Sequence, residues 1–170
     1  MTDPVMRILP RADDDRPLLD AHGFLVVVPP GWEVRMRRQG TSQDEEGATA
    51  YPVFHAATVA LPPDRGDYGS NVVERLGSSD LFVSLVEFGP EAVDTALFPV
   101  VDEFPSSLDG ASFHPRQLQR VIAGQAGLQK FFTYNGRAFC LYVVVGSYAL
   151  VNQMMPVATE LLASLVIASP

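Results

Sequence analysis

The chain has little of what nucleophilic and metal chemistry usually needs. Its 170 residues hold a single cysteine, Cys140, and three histidines, His22, His55 and His114. One cysteine excludes an internal disulfide and any thiolate metal cage supplied by this chain alone. The histidines form no HxH or HxxxH pair, so a metal centre would need carboxylates gathered from distant positions, and neither metal nor cofactor is expected. Nor is any stretch long enough to span a membrane, which takes roughly 18 apolar residues. The longest, FCLYVVVGSYALV at 139–151, is broken by Gly146 and Ser147 and reads as a buried strand followed by a turn. The opening segment lacks the charged-then-apolar order of a secretory signal, which makes cytoplasmic the simplest expectation for location. Positive charge is scarce as well, with 12 basic against 20 acidic residues and a net charge of -8. An acidic surface repels phosphate backbones, so nucleic-acid binding would need a concentrated basic patch. The closest basic group, Arg35, Arg37 and Arg38, reads as the solvated face of a strand.

What is present suits one globular domain. Hydrophobic residues make up 47% and charged residues 19% of the chain, enough to bury a core without a partner. Residues 1–20, with three prolines and the acids Asp13, Asp14 and Asp15, read as an extended or mobile arm, and residues 21–170 as a single α+β domain. GFLVVVP at 23–29 is apolar on both faces, like an interior strand. Pro29, Pro30 and Gly31 impose a turn, and Trp32, Val34 and Met36 then alternate with Glu33, Arg35 and Arg37 as a half-buried strand. Residues 40–50 read as a polar loop. Strands are expected at 53–61 and 81–88, with a short helix from Ser70 or Asn71 to Leu76 between them. A second short helix opens at Gly89-Pro90 and would turn Val93 and Leu97 inward. Residues 98–115 form a long irregular passage, the first place to look for a surface loop with a role. Asn135-Gly136 supplies the two positive φ values of a type I′ hairpin between strands at 128–134 and 137–146. A strand at 118–123 would extend this hairpin to a meander, and an apolar-faced helix would begin at Pro156, followed by a short strand at Val166-Ile167. The sum is a central, mainly antiparallel sheet of about six to seven strands flanked by about three helices.

The residues that look chemical in isolation have duller readings. Cys140 lies among Ala138, Phe139, Leu141 and Tyr142 in an expected central strand, where a free thiol is a small hydrophobe. Asp102, Glu103 and Asp109, with Glu87 and Glu91, match no calcium loop and read as a solvated acidic face. No serine completes a GxSxG elbow. Trp32, the sole tryptophan, could anchor a partner or fill the core. Tyr68 and Phe113 stand in polar, turn-rich surroundings and are the aromatics expected at a contact surface, with Asp102, Glu103 and His114 near the second of them.

A resemblance supplements these readings. GFLVVVPPGWEV at 23–34, the strands around NGRAFCLYVVVGS at 135–147 and the closing ELLASLVI at 160–167 resemble the Mog1/PsbP-like fold over about residues 20 to 168. Members of that group are binding or assembly factors, among them an extrinsic photosystem subunit, a partner of a nuclear-transport GTPase and actinobacterial lipoproteins. The resemblance therefore implies a non-catalytic binding or assembly module whose partner is an unidentified protein, and it leaves self-association open. Its motifs mark turns and core and carry over no functional residue. Two alternatives stand beside it: a small hydrolase or isomerase assembled from His55, His114, Cys140 and Glu87, and an apolar-ligand carrier.

Overall fold

The computed structural model describes residues 7–11, 14–38 and 51–170, with side chains from residue 16 onward. The expected loop at 40–50 lies outside the described residues. Among the described residues the elements are, in chain order, β1 (Arg7–Arg11), β2 (Asp14–Ala21), β3 (Phe24–Val27), β4 (Glu33–Arg38), β5 (Pro52–Ala57), β6 (Leu81–Phe88), β7 (Ala126–Tyr134), β8 (Arg137–Val145), one α-helix, α1 (Val151–Ala163), and β9 (Leu165–Ile167). Five one-turn 3₁₀ segments punctuate the connections.

Strand and helix are mixed and the sheets are antiparallel, but the expected single sheet is in fact two. One has the order β1-β2-β3-β9 and the other β4-β5-β6-β8-β7. Two tight turns establish them. Asn135 and Gly136 both have positive φ, 49° and 74°, and close the β7–β8 hairpin as the sequence predicts. His22 and Gly23, at 54° and 78°, make the same kind of turn between β2 and β3, so a hairpin stands where the sequence suggested only the start of a strand. All of β2 but Ala21 belongs to the stretch read as an arm, yet β2 pairs with β3 over Leu18–Ala21 and with β1 along its other edge.

The three expected helices reduce to one, for local reasons. Asn71 has φ 70°, outside the helical region, and the Ser70 hydroxyl accepts from the Gly66 amide instead of capping a helix. Only Val73–Arg75 turns, as a 3₁₀ segment without a side-chain cap. The second segment is the single turn Pro90–Ala92, and Leu97 points outward, 58% exposed. Residues 118–123 form no strand; the outer edge of β7, where they were expected, is met instead by isolated bridges of Val100 to Thr133 and of His114 to Gly127. The helix starts earlier than Pro156, which sits inside it. Proline removes the amide that would bond the Asn152 carbonyl. Asn152, Gln153 and Pro156 are all exposed, so water can serve that carbonyl.

α1 buries Val151, Met154, Met155, Ala158, Leu161 and Leu162. With them pack Phe24, Val26 and Ile167 of the four-stranded sheet and Phe54, Leu85, Phe139 and Val143 of the five-stranded one, in one continuous core. A smaller apolar cluster lies on the other face of the five-stranded sheet, around Phe82, Tyr142, Val144, Leu61 and Val72.

Candidate functional site

Side chains alternate between the faces of a strand, and the register then decides which residues meet on one face. On the face of the five-stranded sheet away from α1, five polar residues stand directly opposite one another across all its strands: Arg35, His55, Ser84, Tyr142 and Gln129. The rows on either side are mostly apolar. Residues 61–76 cross this face, and their two ends are clasped by the Thr58 hydroxyl donating to Asp80 Oδ1 at 2.8 Å and the Gly77 amide donating to Asp80 Oδ2 at 2.8 Å.

Beneath this cover the polar groups satisfy one another. The Asp67 carbonyl accepts from His55 Nε2 at 2.8 Å and from Ser84 Oγ at 2.6 Å. Arg65 Nε donates to His55 Nδ1 at 2.8 Å. A guanidinium only donates and a carbonyl only accepts, so His55 is neutral with its proton on Nε2. Burial is the main reason its pKa falls to about 3, with Arg65 and Arg37 adding to the shift against the Asp67 carbonyl. Arg37 Nη2 in turn donates to Asp67 Oδ1 at 2.5 Å and to the Arg65 carbonyl at 3.1 Å, while Arg65 Nη1 donates to the Pro62 carbonyl at 2.8 Å.

Two concavities flank the cover. A hollow of about 370 Å³ is lined by Tyr68, Tyr142, Ser70, Val73, Gln119 and Arg120. The two tyrosine rings meet edge to face at 5.5 Å. Tyr142 Oη accepts from the Gln119 amide at 2.9 Å, and burial raises its pKa. Burial pushes the Tyr68 hydroxyl and the Cys140 thiol both up to about 12. The other concavity, an open cleft of about 540 Å³ at the sheet edge, is lined by Arg35, Met36, Arg37, Leu61, Pro63 and Arg65.

Of the contact residues read from the sequence, Tyr68 alone lines one of these concavities. Trp32 is buried in the main core, and Phe113, expected at the surface, is 1% exposed and belongs to the same core. The irregular passage around Phe113 is irregular in backbone only: Phe98 is buried and Phe104 packs on Phe132 and Tyr134. Asp102 and Glu103 are exposed. His114 is exposed too, bridged to Gly127, with Nδ1 accepting from the Arg116 amide at 3.0 Å. The scattered His/Cys/Glu set is not gathered. Cys140 lies opposite Val86 and Glu87 opposite Phe139, which puts thiol and carboxylate on opposite faces of the sheet. Glu87 is engaged by Arg137 through two contacts, at 2.9 and 2.6 Å. Among the described residues no group of three or more His, Cys, Asp or Glu could hold a metal ion, and no helix is long and apolar enough to cross a membrane.

The sequence reading missed the row through His55 and Ser84 and the partner role of Arg65. The signal was present only as strand alternation, since register across five strands is not written in any one of them. Comparisons with protein-family models, curated proteins and solved structures found no match.

Proposed function

We propose that this protein is a non-catalytic binding or assembly module that engages its partner through the hollow between Tyr68 and Tyr142. The observation that carries the reading is the state of the reactive groups. His55 is neutral with both ring nitrogens committed, Ser84 gives its proton to a backbone carbonyl, and Cys140 is a buried thiol whose pKa is about 12. A nucleophile needs a base with a free lone pair beside it, and the one imidazole near Ser84 presents an N–H on that side. The Mog1/PsbP-like resemblance points the same way. The hollow, by contrast, offers the half-buried ring of Tyr68 and polar rim groups, the composition of a recognition site. Its volume favours a second reading, a carrier of a small apolar ligand, which the same substitution tests.

Ser70 is exposed at the hollow, so Ser70→Trp fills it without entering the core. Partners or ligands that co-purify with the wild type, identified by quantitative mass spectrometry, are expected to be lost from this variant while its circular dichroism spectrum stays native, the lost bond from the Gly66 amide lowering only its melting temperature. Turnover of an ester, amide and phosphoester panel should stay at the buffer rate and be indifferent to Ser84→Ala. Turnover that depends on Ser84 or Cys140, or an unchanged set of bound molecules in Ser70→Trp, would overturn the reading.

A further inference from the structure

We propose that the arginine cleft at the edge of the five-stranded sheet is a second docking site, which takes an extended acidic segment of a partner protein along β4. It goes beyond the hollow and lies on the other side of the cover.

β4 is an edge strand, and among the described residues no backbone hydrogen bond occupies its free side. An open edge is a template for an added strand. The cleft is lined by Arg35 and Arg37 from one face of β4 and by Met36 from the other, so it follows the strand edge itself. Leu61 and Pro63 supply an apolar wall. Arg35 and Arg37 are two residues apart, roughly 7 Å along a strand, which is also the spacing of alternate side chains on a strand laid beside it. A ligand with a carboxylate at every second residue and apolar residues between fits both the charge and the repeat.

Charge supplies the direction. In a chain of net charge -8, three guanidinium groups converge on one cleft. Arg35 has Glu33 at 2.9 Å and Arg37 has Asp67, whereas Arg65 has no carboxylate partner among the described residues. The buried Nε of Arg37 has no acceptor among them either. Arg65 is nonetheless held in place, by His55 on one side and the Pro62 carbonyl on the other. After burial, the nearness of Arg37 and Arg35 is what lowers its pKa, a like-charge repulsion that a bound carboxylate would relieve. Ordered guanidinium groups lose little freedom on binding and grip carboxylates in fork geometry, better than lysines would. A use for the buried neutral histidine follows: it is an uncharged acceptor that aims Arg65.

The test uses the full chain and a labelled short peptide alternating glutamate and valine, followed by fluorescence anisotropy. Binding is expected to weaken as salt rises, to drop at least about tenfold in Arg35→Glu, and to fall similarly for a peptide with glutamine in place of glutamate. Arg35 is exposed and among the described residues its side chain pairs with Glu33 alone, so the variant should fold; Arg35→Gln repeats the test if it does not. Absence of binding by the wild type, equal binding of the glutamine peptide, or indifference to both Arg35 variants would each overturn the proposal. Inorganic phosphate competing as strongly as the peptide would overturn the extended-segment assignment in favour of a small-anion site. Ser70→Trp and Arg35→Glu alter different surfaces, so this site and the hollow stand or fall separately.

Discussion

Burial and the two arginines that face His55 hold the imidazole neutral against the pull of the Asp67 carbonyl. Arg65 Nε fills the Nδ1 lone pair, the Asp67 carbonyl takes the Nε2 proton, Arg37 adds positive charge nearby, and the Phe82 ring lies 5.2 Å away. Protonating Nδ1 would set an N–H against a guanidinium N–H inside the protein. The folded pKa, about 3, is therefore below the unfolded value of 6.5. Between these values the unfolded chain binds a proton that the native one refuses, so stability is complete above pH 6.5 and declines as pH falls toward 3. The full loss is on the order of 5 kcal/mol. Urea midpoints measured from neutral to acid pH should fall more steeply in the wild type than in His55→Gln, which keeps a donor and an acceptor but cannot titrate. Carboxylates titrate in both proteins, so the difference isolates His55, and parallel curves would remove it as the cause.

Arg137 opens β8 and fastens three elements at once. Its Nη1 donates to the carbonyls of Gly23 and Ala168 at 3.3 and 3.2 Å, its Nη2 to that of His22 at 3.1 Å, and its fork grips Glu87 on β6. The guanidinium lies over the rings of Phe24 and Phe139, at 4.9 and 5.2 Å. Lysine has one point charge where this site uses a planar fork, so Arg137→Lys should lower stability by about 3 kcal/mol, seen as a reduced urea midpoint. The double variant Arg137→Met with Glu87→Leu should regain part of it, because no buried charge is then left alone. A lysine variant as stable as the wild type would show the clip to be incidental. The same elements show what was legible. Asn135-Gly136 announces its hairpin because asparagine and glycine both accept positive φ readily; His22-Gly23 does the same work less visibly, histidine being a rarer occupant of that region. Strand alternation marked the outer face of β4 but not its register with β5 and β6, so Arg35 beside His55 beside Ser84 was out of reach. Tyr68, singled out for its polar surroundings, lines the hollow. Phe113 misled for the same reason, its neighbours GAS and HPR saying nothing of the core beneath.

The two sheets share one core and several hydrogen bonds, which bears on how the molecule unfolds. Leu19, Phe24, Val26 and Ile167 from one sheet and Phe54, Leu85 and Phe139 from the other pack with α1 in a single apolar cluster. Asn135 Nδ2 donates to the Ile167 carbonyl at 2.8 Å, and Ser164 Oγ to that of Val27 at 2.8 Å, so the hairpin turn and the end of α1 are both tied to the smaller sheet. Separating the sheets would expose the apolar inner faces of both, at roughly 25 cal/mol for each Å² uncovered. Such a partial state gains little chain entropy to offset the exposure, because each sheet stays folded. Unfolding should therefore be a single transition. Trp32, on the connection between β3 and β4 and buried in the shared core, reports on the junction, while far-UV circular dichroism reports on the strands of both sheets. The two signals should follow one urea curve with the same midpoint and slope. A tryptophan transition at lower urea than the loss of strand signal would mean that the sheets part first and that the shared core is not what holds them.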